Sequence, residues 1–124
     1  MATYDEAPRR IVMLVDDDED IREMMSELLM TKGFVVLQAG NGLEAMEVLK
    51  ETARLPSVVL LDMAMPTMDG STFLRVRAED PILKDIPVLV VSGSPPPKAA
   101  EGIEGFLRKP VEVTQLLQAI GHYE

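Results

Sequence analysis

The 124-residue chain contains no cysteine and no tryptophan, and only one histidine, two tyrosines and three phenylalanines. Without cysteine there is no disulfide, no thiolate nucleophile and no Cys-based metal site. No apolar run approaches the roughly 20 residues of a membrane span. The first ten residues, Met1 to Arg10, lack the apolar stretch of a secretory signal. The charge is short of cations: 12 Lys and Arg stand against 21 Asp and Glu, for a net charge of -9. That balance argues against a nucleic-acid groove or an anionic membrane surface as a direct partner. A cytoplasmic protein is expected. What is present is enough apolar material, 47% of residues, to build one core in a chain of single-domain length.

The most informative stretch is Val58-Val59-Leu60-Leu61-Asp62. It is apolar without alternation, as in a central strand of a parallel sheet covered on both faces. It delivers a carboxylate to its C-terminal end, the edge where open α/β sheets bind ligands. Pro66 and the Asp69-Gly70 turn signal stop the strand. Ile11-Val12-Met13-Leu14-Val15 is a second such run and ends in Asp16-Asp17-Asp18-Glu19-Asp20. Ile21, Met24, Met25, Leu28 and Leu29 then recur at helical spacing, with Asp18 as N-cap and Lys32-Gly33 at the close. Phe34–Leu37 reads as a strand, and Leu43 to Leu49 as a helix ending before Pro56. Ser71 to Glu79 is a further helix, with Phe73, Leu74 and Val76 inward. Val88-Leu89-Val90-Val91 ends at Ser92, and Gly105–Arg108 is a weak fifth strand before Lys109-Pro110. Val111, Val113, Leu116, Leu117 and Ile120 lie on one face of a last helix, with Pro110 at its start. Pro95-Pro96-Pro97 leaves room only for a short helix over Lys98 to about Gly102.

Alternation of this kind predicts an α/β fold: a doubly wound, five-stranded parallel sheet of the flavodoxin-like (βα)5 type, in order 2-1-3-4-5, with a shortened fourth helix. Residues 1–9 read as a flexible tail and residues 10–124 as the domain. The switch point of that sheet lies between the strands ending at Asp16-Asp17 and at Asp62. The same edge collects Ser92 and Lys109. Three carboxylates in one crevice repel each other and call for a cation or protons. An all-oxygen donor set suits Mg²⁺, which takes one or two carboxylates, waters and phosphate oxygens. With a hydroxyl and an ammonium nearby, Asp62 could act as nucleophile toward a phosphoryl group.

In Val15-Asp16-Asp17-Asp18, in Leu61-Asp62-Met63-Ala64-Met65-Pro66-Thr67-Met68-Asp69-Gly70, in Val91-Ser92-Gly93 and in Phe106-Leu107-Arg108-Lys109-Pro110, the chain resembles the receiver domains of two-component response regulators. The resemblance covers about residues 10–123. It implies that Asp62 accepts phosphate from a phosphohistidine of a sensor kinase or histidine phosphotransfer protein. It further implies that Asp16, Asp17, Asp62 and the backbone carbonyl of Ala64 hold Mg²⁺, and that Ser92 and Lys109 bind the phosphoryl group. Ser92 and Phe106 would form the switch. Phosphorylation then biases a two-state protein-interaction surface, with at most slow intrinsic phosphotransfer and autodephosphorylation and no enzyme activity beyond that. The short, Pro-rich segment between Ser92 and Lys109 alters the usual output face, so dimerisation through it is open. Ala64 and Ser94 offer no acid or amide to position an attacking water, so fast self-hydrolysis is not expected.

Each residue also has a plainer reading. Asp16–Asp18 would serve as an N-capping acidic turn, Asp62 as an Asx-turn residue and Ser92 as a cap. Lys109 would be a solvated lysine and Phe106 a core side chain, the methionines would be fillers, and His122 would be a surface or capping residue. Two other functions compete. An aspartyl-phosphate hydrolase would want a second acid at position 64, where Ala stands. A pseudo-receiver that binds partners unphosphorylated would lack the acid pair, the acceptor or the lysine, and all are present.

Overall fold

The computed structural model describes residues 10–63, 68–93 and 103–121. Five strands form one parallel sheet: β1 (Ile11–Val15), β2 (Val35–Ala39), β3 (Val58–Leu61), β4 (Val88–Ser92) and β5 (Gly105–Arg108). Their order is β2-β1-β3-β4-β5, as the alternation of elements predicts. Four helices are described: α1 (Glu19–Thr31), α2 (Gly42–Glu51), α3 (Gly70–Ala78) and α4 (Val113–Gly121). The tail 1–9, the short helix expected near 98–102, and Ala64, Pro66, Ser94 and His122 lie outside the described residues.

The continuous apolar runs of β1 and β3 have a direct cause. Successive strand residues point to opposite faces, and both faces are covered. Met13, Val15, Val59 and Leu61 pack with Ala45, Met46, Leu49, Phe73 and Leu74 of α2 and α3. Val12, Leu14, Val58 and Leu60 pack with Leu29, Leu116 and Ile120 of α1 and α4. All residues of β1, β3 and β4 are buried, whereas β2 and β5 at the sheet edges are mostly half-buried.

The helix ends follow local chemistry. Asp18 caps α1 through its carboxylate, which accepts from the Ile21 N–H at 3.1 Å. Gly33, at φ +94°, takes the left-handed turn after that helix, where a side chain would be strained. Asn41 caps α2 by accepting from the Glu44 N–H at 2.8 Å, and Asp69 caps α3 by accepting from the Thr72 N–H at 2.9 Å. Asp69-Gly70 is thus a helix start more than a free turn. Two boundaries move. β2 runs from Val35 to Ala39 instead of starting at Phe34, which is buried just before it. α4 begins at Val113, three residues after Pro110, which follows a cis peptide bond.

Helical spacing alone overstated burial on two helices. Met24 is 63% exposed and Val113 is 45% exposed. They belong to apolar stripes whose inner residues, such as Leu29 and Leu116, reach the sheet while the outer ones remain at the surface.

Candidate functional site: an acidic crevice at the sheet's switch point

Backbone hydrogen bonds hold each strand-end residue to a neighbouring strand. The Asp16 N–H donates to the Ala39 carbonyl at 3.1 Å, tying the end of β1 to β2. The Asp62 N–H donates to the Val15 carbonyl at 2.9 Å, and the Lys109 N–H to the Ser92 carbonyl at 2.9 Å. Parallel register, with Val15 beside Leu61 and Leu61 beside Val90, places Asp16, Asp62 and Ser92 on one edge. All three are buried. Asp17, next along, is exposed.

Carboxylate oxygens of Asp16, Asp17 and Asp62 all lie within 4.8 Å of one another. Lys109 Nζ is 2.8 Å from Asp16 Oδ2 and 3.7 Å from Asp62 Oδ2. The other Asp16 oxygen, Oδ1, accepts from the Asp18 N–H at 2.9 Å. Burial opposes the charge on Lys109, but the hydrogen bond to Asp16 and the charges of Asp16, Asp62 and Asp17 outweigh it, so the ammonium is held above the ordinary lysine range. Three carboxyl groups against one ammonium leave the crevice short of positive charge. Hard oxygen donors with that deficit fit one divalent cation of the Mg²⁺ type.

Of the residues singled out from sequence, Asp16, Asp17, Asp62 and Lys109 come together directly, and Ser92 closes the same edge. Phe106 stands apart from the carboxylates. It is half-buried on β5 opposite Val90 and borders a surface groove of about 530 Å³ shared with Arg108 and Gln115. The Ala64 carbonyl is not among the described residues.

Sequence reasoning missed two supports of the crevice. Arg22 Nη1 donates to the Asp16 carbonyl at 2.6 Å. The only signal was a lone cation in the first turns of an acidic helix. Gly42 starts α2 against the loop after β3: its N–H donates to the Met68 carbonyl at 2.9 Å, and a Cβ there would stand 2.7 Å from that oxygen. Close backbone approach explains the glycine, and no sequence signal separates it from ordinary turn punctuation. A second feature adjoins the crevice. Ile21, Met24 and Leu28 of α1 face Val111 and Val113 across an apolar groove of about 570 Å³ that Lys109 also lines.

A doubly wound sheet with acids at its switch point and a lysine reaching in from the last strand defines a narrow class of signalling domains. Residues 12–121 match the family described as response regulator receiver domain. The chain belongs to that family and is a receiver domain of two-component signalling. It is 27% identical over 117 residues to the polar-differentiation response regulator DivK of Brucella anthropi, covering 90% of this chain and 94% of DivK. It is 34% identical over 115 residues to the sensor kinase CckA of Brucella abortus, covering 88% of this chain but only 12% of the kinase. Among solved structures, the chemotaxis protein CheY4 of Vibrio cholerae superposes with a TM-score of 0.84 at 26% identity, over 94% of this chain and all of that one. The chain thus resembles both a stand-alone regulator and one segment of a much longer kinase. Among the described residues, no helix is long and apolar enough to cross a membrane.

Proposed function

We propose that the domain is a phosphoryl acceptor, with Asp62 taking the group from a phosphohistidine of a sensor kinase or histidine phosphotransfer protein. The observation that carries this reading is the convergence of three carboxylates whose oxygens lie within 4.8 Å of one another, with the Lys109 ammonium beside two of them, Asp16 and Asp62. An Asp62 oxygen attacks phosphorus, the P–N bond to the imidazole breaks, and that nitrogen keeps the electron pair. The product is an acyl phosphate on Asp62. Asp16, Asp17 and Asp62 would hold Mg²⁺, with the Ala64 carbonyl as a further ligand. Bound Mg²⁺ supplies positive charge opposite the transferring oxygens. Lys109 leaves Asp16 or shares it to meet the phosphoryl group, and the Ser92 hydroxyl donates to another of its oxygens.

Phosphorylation then changes the surface at β5. Ser92 is drawn toward the phosphoryl group, and Phe106 turns inward from its half-buried place on the edge strand. The groove beside Phe106 gives that ring and its neighbours room to rearrange. The output is a change in protein contacts. Turnover is slow, because the acceptor is regenerated only by intrinsic autodephosphorylation or by back-transfer. The apolar groove between α1 and α4 borders the crevice through Lys109, which gives a histidine-bearing helix a face to lie on while it presents its phosphoryl group.

Intact-mass measurement after incubation with acetyl phosphate and Mg²⁺ tests the acceptor. A single phosphoryl adduct is expected, lost on chelation of Mg²⁺ before labelling and absent in Asp62→Asn. An unlabelled wild-type protein, or full labelling of Asp62→Asn, would refute the assignment. In Met24→Glu, labelling by acetyl phosphate should be unchanged, while transfer from a phosphorylated kinase should slow on the order of tenfold, the cost of one lost apolar anchor at an interface.

A further inference from the structure

Arg22 is the one basic residue of α1, and it is half-buried where its acidic neighbours Glu19, Asp20 and Glu23 are exposed. Its Nη1 donates to the Asp16 carbonyl at 2.6 Å, and its Nε donates to Gln38 Oε1 on β2 at 3.2 Å. Gln38 Nε2 in turn donates to Ser26 Oγ at 3.2 Å, and Ser26 is buried. The guanidinium therefore bridges α1, the end of β1 and β2. It also borders the small void beneath the crevice, together with Asp16 and Asp62.

We infer that Arg22 is a positioning residue for divalent-cation binding: by holding the Asp16 carbonyl, it sets the Asp16–Asp17 peptide so that both carboxylates face Asp62. The inference rests on reading the crevice as a Mg²⁺ site. The Asp16 carboxylate has anchors of its own, in Lys109 and the Asp18 N–H. Asp17 is exposed, and among the described residues no hydrogen bond holds its carboxylate. The backbone sets where that carboxylate can reach, and the peptide that carries it is the one whose carbonyl Arg22 grips. A planar guanidinium with two donors in a rigid fork can clamp a carbonyl and Gln38 at once, which an ammonium cannot.

Positioning and plain charge predict opposite signs. A cation beside a cation site repels it, so deleting Arg22 as a mere charge would tighten Mg²⁺ binding. Deleting it as a support for the ligands weakens binding, on the order of tenfold by the usual effect of groups that orient metal ligands. A role in folding alone would lower stability and leave Mg²⁺ affinity where it was.

The experiment is calorimetric titration of the whole chain with Mg²⁺ at fixed salt, for wild type, Arg22→Met, Arg22→Lys and Gln38→Ala, with thermal unfolding recorded without metal. Arg22→Met should bind Mg²⁺ about tenfold more weakly, with Arg22→Lys and Gln38→Ala between it and wild type. If Arg22→Met does not fold, the other two variants decide by the same reading. Wild-type binding with unchanged or tighter affinity in the folded variants overturns this inference alone. A wild-type protein that binds no Mg²⁺ overturns both this inference and the reading of the crevice beneath it.

Discussion

The centre and the edge of the sheet are built differently. β1, β3 and β4 are buried along their whole length, and they carry Asp16, Asp62 and Ser92. β5 at the edge is half-buried, and it carries Phe106 and leads into Lys109. Groups that must meet with fixed geometry stand on strands locked from both faces. Phe106, proposed to report the reaction, stands where one side is open and movement costs less. The proposed acceptor thus stands on the fully buried part of the sheet with Ser92, one of the two proposed switch residues, while Phe106, the other, stands on its half-buried edge.

The sharpest way to break that contrast is to hollow out each part in turn. Leu60→Ala on β3 should cost about 2–5 kcal/mol, the range for a fully buried leucine. Leu107→Ala on β5 should cost less than half as much, because its side chain is only half-buried. Urea unfolding monitored by circular dichroism gives both numbers, and equal losses would erase the distinction between centre and edge.

A smaller effect is expected at the link between them. Lys109→Met removes the ammonium from Asp16 and Asp62 and should destabilise the metal-free protein by about 1–2 kcal/mol, the loss of one partly screened charged hydrogen bond. The pH dependence has a defined sign. The Lys109 pKa is raised in the folded state because the hydrogen bond to Asp16 and the surrounding carboxylates outweigh burial. Its stabilising contribution is therefore full below the ordinary lysine pKa of about 10.4 and is lost as pH rises through the higher folded value. The stability difference between wild type and Lys109→Met should stay flat through neutral pH and shrink in the alkaline range.

The smallest effect should come at the start of α3, away from both parts. Asp69→Ala removes an exposed cap and should cost about 1 kcal/mol. Hydrogen bonds from Thr72 hold the Asp69 carboxyl below the usual aspartate range. That contribution is present above the ordinary aspartate pKa and fades as pH falls through the lowered value. Thermal unfolding of wild type and Asp69→Ala between neutral and acid pH measures the gap and its closing.

Most of the frame was readable in one dimension. The unbroken apolar runs at 11–15, 58–61 and 88–91 announced strands covered on both sides, and the helices between them left one parallel topology with the acids at its switch point. Lys109 followed from its place after the last strand. Boundaries were less legible where propensity and pairing disagree: Phe34 has strand character, but register with β1 begins at Val35. Exposure of Met24 and Val113 could not be read from periodicity, because a stripe shows direction and not how far the neighbouring helix reaches. Arg22 and Gly42 were hidden because their value lies in partners distant along the chain or in a close backbone contact.

By itself the order of residues determined which groups would stand at the strand ends, since alternation of buried strands and amphipathic helices permits few ways of winding the chain. Only the tertiary structure decided that the oxygens of residues 16, 17 and 62 meet within one ion's reach, that Lys109 lies on Asp16, and that Arg22 grips the peptide between the acids. The reason is that strand order follows from local pattern, whereas a distance of a few ångströms depends on register, on side-chain direction and on hydrogen bonds between segments far apart in the chain.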